Sequence, residues 1–129
     1  MSRSEATTNG VNVSVEASYS PEHSAPEKSR WFFLYTITIA NEGDQTVQLI
    51  SRYWRITDAT GELEEVRGPG VVGEQPVLNP GESFEYTSGC PLSTPFGSME
   101  GTYEIVAEDQ SSFDAEVARF ELREEMAIH

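Results

Sequence analysis

The sequence predicts an all-β fold, and three observations support this prediction. Short segments in which apolar and polar residues alternate recur along the chain, separated by turns rich in Gly, Pro, Asn and Asp. No long amphipathic stretch with a helical period interrupts them. The length of 129 residues suits one domain with one core. Together these features predict an immunoglobulin- or fibronectin type III-like β-sandwich of roughly seven or eight strands, with an eight-stranded barrel as the alternative.

The first half of the chain supplies the clearest strand patterns. Residues 1–9 are polar, and we expect them to be disordered. Valines and polar residues alternate over 10–19, whereas two prolines place a loop at 20–29. The sequence RWFFLYTITIAN at 30–41 is the strongest strand, with apolar residues on both faces at its start. This favours a central strand, or one that the preceding loop partly covers.

The second half contains shorter strands and two changes of parity. Residues 46–58 are extended, but the apolar parity changes near Ile50, which indicates a bulge or a break between two strands. Further strands are predicted at 62–66, 83–88, 97–108 and 113–122. The last of them shows a second parity change. We expect a loose tail at 124–129, so the predicted single domain covers 10–123.

Charge and cysteine content limit the partners and the compartment. The formal net charge is −14, which disfavours nucleic acids and anionic membrane surfaces as partners because both are bound through Lys and Arg. Cys90 is the only cysteine, so no intrachain disulfide can form. The sequence has neither a signal-peptide pattern nor an apolar run of about 20 residues. We therefore expect a soluble cytoplasmic protein.

A glycine-rich stretch at 67–73, with the sequence RGPGVVG, matches the pattern G-x-G-x-x-G. In a dinucleotide-binding fold this pattern connects a strand to a helix, whose N-terminus meets the pyrophosphate. Here Pro76 and Pro80 follow it, and two prolines so close together exclude a useful helix. The doubly wound dinucleotide fold is therefore excluded.

Two interpretations of the glycine stretch remain. The glycines can simply permit positive φ or close packing in a long connection between strands. Alternatively, their N–H groups can form a nest that binds an anion, with nearby arginines as counter-charges. The candidate ligand-binding residues of this second interpretation are Arg67, Gly68, Gly70, Gly73, Arg52 and Arg55.

Catalytic and metal-binding patterns are weak. The histidines, His23 and His129, have no ligand spacing to Cys90, which disfavours zinc. No histidine is placed to activate Cys90 as a nucleophile, so we interpret it as a structural thiol. We predict no catalytic residue, no bound metal and no cofactor.

An exposed surface is predicted from the alternation along the strand at 46–58. Trp54 lies on one face and Tyr53 and Arg55 lie on the other. If Trp54 belongs to the core, as aromatic residues of a sandwich usually do, Tyr53 and Arg55 are exposed. Together with Arg67 they form the hypothetical interaction surface for a protein partner.

Several long motifs resemble the ApaG (CorD) family. They are LISRYWRITD at 49–58, EVRGPGVVGEQP at 65–76, PGESFEYTSGCPL at 80–92, TP at 94–95 and GSMEG at 97–101. The resemblance covers about residues 10–123, with the motifs in the order of the family. One departure is Tyr53, where the family pattern has His, so a mechanism that needs this imidazole is not expected here.

The resemblance implies a fibronectin type III-like sandwich and little defined chemistry. It links bacterial members genetically to diadenosine tetraphosphate hydrolase, cobalt resistance and magnesium efflux, and it relates them to domains of eukaryotic interaction proteins. Fold does not fix function. Our main hypothesis is a non-enzymatic binding module for an unidentified protein partner. The alternative is a regulator that binds a nucleotide or pyrophosphate weakly through the loop at 68–73.

Overall fold

A computed structural model describes residues 1–124 of the chain and contains two antiparallel sheets packed face to face. Within these residues the strands are β1 Ser2–Thr8, β2 Val11–Tyr19, β3 Trp31–Asn41, β4 Val47–Asp58, β5 Leu63–Pro69, β6 Val77–Leu78, β7 Ser83–Leu92, β8 Phe96–Ala107 and β9 Ser112–Arg123. One sheet has the order β1-β2-β3-β7, and the other has β5-β4-β8-β9 with β6 beside β4. The predicted sandwich is confirmed and the barrel is not formed, but residues 1–124 contain nine strands where seven or eight were predicted, because β1 and the short β6 add to the count.

Residues at the N-terminus form strand β1 instead of the disordered segment predicted from their polarity. Ser2–Thr8 pair along their whole length with β2. The two strands meet at Asn9 and Gly10, whose φ values of 46° and 81° are both positive, as a tight two-residue hairpin turn requires. The Asn-Gly turn therefore pairs the N-terminal residues with the apolar strand β2, although the residues of β1 are themselves polar. Apart from Glu124, the tail predicted to be loose lies outside the described residues.

Both predicted parity changes are bulges in the second sheet. The register between β4 and β8 shifts between Leu49 and Ser51, so Ile50 is the extra residue. The register between β8 and β9 shifts between Met99 and Gly101, where two residues of β9 face one of β8. Each bulge lets the apolar side chains on either side of it face the same core.

The core lies between the sheets and is centred on Trp54, which is 3% exposed. Its ring makes edge-on contacts with the rings of Tyr35, Tyr103 and Phe120, at centroid distances of 5.7, 6.1 and 6.0 Å. Rings arranged in this way add stabilisation beyond the burial of their area. The prediction that Trp54 is core is confirmed.

Strand β3 is central in its sheet, and the preceding loop covers part of its outer face, as its two apolar faces indicated. The ring of Phe32 lies over Gly89 of β7, where an added Cβ would be 2.1 Å from the ring. His23, from one of two three-residue 3-10 turns in the loop, contacts the Phe32 ring at a centroid distance of 5.6 Å.

No helix within residues 1–124 has the length and hydrophobicity to cross a bilayer.

A buried asparagine joins the turns at one end of the sandwich. Asn41 is 2% exposed, and its side-chain amide donates to the carbonyl oxygens of Gln45 and Leu78 at 2.7 and 2.9 Å. Its side-chain oxygen accepts a hydrogen bond from the Gly43 N–H at 3.0 Å. These bonds satisfy the buried amide and hold two connections in place.

The two sides of the sandwich differ. On one side β1 approaches β9, where Ser4 Oγ donates to the Ala118 carbonyl at 2.7 Å and the Glu116 N–H donates to Thr8 Oγ1 at 3.1 Å. On the other side the edge strands β5 and β7 leave an opening between the sheets. The candidate sites lie on that open side and on the outer face of β4 and β5.

Candidate functional site

The glycine-rich stretch is a tight hairpin rather than a long loop. Gly68 belongs to β5, and the chain turns over Val71–Glu74. Val72 and Gly73 have φ values of 43° and 80°, and Glu74 N–H donates to the Val71 carbonyl at 2.8 Å. Two positive φ values at the centre of a two-residue turn match the twist of the strands on either side.

Glycine is required at position 70 by a close contact between backbones. Gly70 has a φ of 59°, and a Cβ built there would lie 2.2 Å from the carbonyl oxygen of Glu74. No side chain fits at that distance. Close packing and positive φ therefore account for this glycine without a ligand.

Three amide groups of the hairpin donate to carbonyl oxygens of the chain itself. Gly70 N–H donates to Ile50 at 2.9 Å, Val71 N–H to Glu74 at 2.8 Å, and Glu74 N–H to Val71 at 2.8 Å. An anion nest requires successive N–H groups that converge on open solvent. These three do not meet that requirement.

Arg52 braces the hairpin from inside. Its Nη1 donates to the carbonyl oxygens of Pro69 and Gly70 at 2.9 and 3.0 Å. The guanidinium lies against Gly68, where an added Cβ would be within 2.9–3.0 Å of its atoms. The absence of a side chain at Gly68 leaves the space that the guanidinium fills. The alternation along β4 places Arg52 and Arg55 on opposite faces of the strand.

Arg67 and Tyr53 meet on the outer face of the second sheet, directly opposite each other in register. The guanidinium carbon of Arg67 lies 4.1 Å from the centre of the Tyr53 ring, within the range of a cation–π contact. The Tyr53 hydroxyl donates to the carboxylate of Glu65, and this hydrogen bond raises the pKa of Tyr53. Arg55 is exposed on the same face and lies 3.5 Å from the Glu100 carboxylate. We call Tyr53, Arg55, Arg67, Glu65 and Glu100 the outer-face patch.

A shallow groove of about 740 Å³ runs beside this patch. Tyr53 and Arg67 form one wall, and polar residues of β8 and β9 form the other, among them Thr102, Glu104 and Asp114. The groove contains both signs of charge and an aromatic face. The groove is open to solvent.

The open side of the sandwich holds a second cavity, which the sequence did not predict. It has a volume of about 340 Å³ and lies between β5 and β7. Residues that define its length are Arg52, Trp54 and Ile56 of β4, Glu64 and Val66 of β5, and Tyr86, Ser88 and Cys90 of β7. We call it the edge cleft. Only the alternation of Phe84 and Tyr86 hinted at inward-facing aromatic residues in β7.

The edge cleft is lined by the Tyr86 hydroxyl and the Cys90 thiol, and the Tyr103 hydroxyl is buried behind Tyr86. The Tyr86 and Tyr103 hydroxyls lie 2.5 Å apart, and burial raises the pKa of both. Burial also raises the pKa of the Cys90 thiol to about 12, so it is protonated at neutral pH and a poor nucleophile. The prediction of a buried structural thiol is confirmed.

Metal ligands do not cluster in the described part of the chain. Among residues 1–124 no three His, Cys, Asp or Glu side chains come close enough to hold an ion. His129, considered above as a metal ligand, lies outside that range. The acidic residues are spread over exposed turns and strand faces.

Comparison with known proteins gives one consistent result. The family model of the ApaG domain, DUF525, matches residues 21–107. The chain is 56% identical over 117 residues to the Protein ApaG of Methylobacterium sp. (strain 4-46), covering 91% of this chain and 90% of that protein. It is 54% identical over 119 residues to the Protein ApaG of Thiobacillus denitrificans, covering 92% of this chain and 94% of that protein.

Solved structures share the fold as well as the sequence. The crystal structure of an ApaA protein from Bordetella pertussis superposes with a TM-score of 0.86 at 51% identity, over 88% of this chain and 93% of that one. The C-terminal domain of wzt is similar in fold alone, with a TM-score of 0.55 at 10% identity, over 98% of this chain and 80% of that one.

Proposed function

Because the chain belongs to the ApaG family, we propose that it is a non-enzymatic binding module that recognises another protein through the outer-face patch. The single observation that carries this proposal is the stacking of Arg67 on Tyr53, with Glu65 fixing the tyrosine hydroxyl. Tyr and Arg held in place before binding lose little conformational entropy on association, and both are enriched among residues that dominate protein interfaces.

The charge balance of the patch differs from that of the chain. The net charge of the chain is −14, whereas the patch has two arginines and two glutamates, with Arg55 beside Glu100 and Arg67 stacked on Tyr53. A contrast of this kind favours one orientation of an approaching partner and raises the association rate. The genetic links implied by the resemblance, to cobalt and magnesium homeostasis and to diadenosine tetraphosphate metabolism, would then arise through the bound protein.

The proposal is tested by affinity capture with the wild-type chain and the double variant Tyr53→Ala/Arg67→Ala. We expect the wild type to retain partner proteins that the double variant loses, since truncating two central contacts costs about 2–4 kcal/mol of binding free energy. The matched control is Arg3→Ala, which removes an exposed arginine on β1, in the other sheet. Identical sets of retained proteins for all three forms would refute the role of the patch.

A nucleotide or pyrophosphate site at residues 68–73 is the second candidate, favoured by Arg67 on the strand that leads into the hairpin. It has less support, because three amides of the hairpin donate within the chain and Arg52 is engaged by two carbonyl oxygens. Titration with ATP, diadenosine tetraphosphate and pyrophosphate, followed by amide chemical shifts, tests it. Unchanged shifts at Gly68, Gly70 and Gly73 at millimolar ligand would eliminate this candidate.

A further inference from the structure

The edge cleft carries two opposite charges that do not neutralise each other. Arg52 lies at one end and Glu64 at the other, and neither forms an ion pair within residues 1–124. Glu64 is paired in register with Ile56, four positions beyond Arg52 on β4, which separates the two backbone positions by roughly 13 Å. The Nη1 of Arg52 is engaged by backbone carbonyls, but a guanidinium has five N–H groups, and the remaining three have no acceptor in the described chain.

The middle of the edge cleft is apolar. Trp54 and Val66 are directly opposite each other in register, between the Arg52 and Glu64 positions. Ser88 of β7 faces them across the cleft, between Tyr86 and Cys90. Along its length the cleft therefore presents a positive group, an apolar surface and a negative group, each two residues from the next. This spacing equals the repeat of side chains on one face of an extended strand.

The mouth of the edge cleft is bounded by the free edge of β7, the last strand of its sheet. The Phe32 carbonyl points to the β2 side, where it accepts from the Ser20 N–H at 2.8 Å. Backbone groups alternate in direction along a strand, so those of Phe33 point to β7 and bond Cys90, the register partner of Phe33. By the same alternation, the backbone groups of Glu85, Thr87 and Gly89 point away from β3. A segment at the mouth can use these groups as partners.

We propose that the edge cleft binds an extended protein segment that pairs antiparallel with β7. Its inward-facing residues are, from its N-terminus, basic beside Glu64, apolar over Trp54 and acidic beside Arg52. The order follows from the direction of β7, which runs from the Arg52 end to the Glu64 end. Antiparallel pairing is the commoner arrangement, and strand addition to a free edge is an established mode of peptide recognition. This inference rests on the proposed function only in that the ligand is a protein segment.

The test uses two capped synthetic peptides of identical composition, Thr-Lys-Thr-Ile-Thr-Glu-Thr and Thr-Glu-Thr-Ile-Thr-Lys-Thr. Both are titrated into the full chain labelled with nitrogen-15. We expect the first peptide to bind at least about fivefold more tightly, because the second places like charges together at both ends of the cleft. Binding should shift the outward-facing amides of Thr87 and Gly89 and slow their hydrogen exchange.

A charge reversal provides the control. In Glu64→Lys the first peptide should lose at least about fivefold in affinity, and a variant peptide with Glu at both charged positions should gain by a similar factor. Glu116→Lys makes the same charge change at an exposed position of β9 and should leave the affinity for each peptide unchanged. Equal affinity for the two peptides, no binding at millimolar concentration, or shifts confined to other surfaces would overturn the inference. The outer-face patch would stand in that case, because its capture experiment depends on Tyr53 and Arg67.

Discussion

The hydroxyl pair of Tyr86 and Tyr103 gives a prediction whose size follows from the structure. Tyr103 is fully buried, and within residues 1–124 the only hydrogen-bond partner of its hydroxyl is the hydroxyl of Tyr86. Replacing Tyr86 by Phe leaves a buried hydroxyl unpaired, which costs about 1–3 kcal/mol of the free energy of unfolding. Replacing Tyr103 by Phe should lower the free energy of unfolding by less, because Tyr86 lines the edge cleft and its hydroxyl can bond water there.

The double variant Tyr86→Phe/Tyr103→Phe distinguishes the loss of the hydrogen bond between the two hydroxyls from the cost of leaving one buried hydroxyl without a partner. Removing both hydroxyls leaves no unpaired group, so we expect it to lie within about 1 kcal/mol of the wild type. Urea unfolding of the four forms measures the coupling, which should be at least about 1 kcal/mol. If the double variant lost the sum of the two single losses, the hydroxyls would not depend on each other, and the reasoning would be refuted.

Three further predictions concern the hairpin, the turns and the thiol. Gly70→Ala should destabilise the chain by about 2 kcal/mol more than Gly73→Ala, since both have positive φ but only Gly70 has a backbone contact at 2.2 Å. Asn41→Ala should lower the free energy of unfolding in urea by about 2–4 kcal/mol, because one buried and one partly buried carbonyl lose their donor. The Cys90 thiol has its pKa raised from 9.0 to about 12, so the unfolded chain loses this proton first. Stability should therefore fall between those pH values, by up to about 1.4 kcal/mol per pH unit, and Cys90→Ala should lack this contribution. Equal costs for the two glycines, a neutral Asn41→Ala or an unchanged pH slope in Cys90→Ala would each contradict the corresponding argument.

The strands that the sequence predicted are those whose side chains alternate between core and solvent. In β2 and β3 the period of two is a direct consequence of burial on one face. The bulge at Ile50 was also visible, because an extra residue changes the parity of everything that follows. These features depend on neighbours along the chain and can be inferred from it.

Features that depend on distant partners were not predictable, unlike the pairing of β1 with β2, which the local Asn9-Gly10 turn sets and the polarity of β1 obscured. The sequence around Gly89 suggested the end of a strand, but β7 continues because Phe32 of the neighbouring strand packs over that glycine. Proximity in sequence groups Arg52 with Arg55 and Arg67, whereas in the structure Arg52 donates to carbonyls 17 and 18 residues away. The edge cleft exists only because β7 pairs with β3 and leaves its other edge free.

The most direct test of the central claim is the affinity capture with the outer-face patch intact and removed. Tyr53→Ala/Arg67→Ala deletes the stacked pair and leaves the core and the edge cleft in place. If the protein binds through this patch, the wild type and the control Arg3→Ala retain partner proteins that the double variant loses. Retention of the same proteins in the same amounts by the double variant would contradict it.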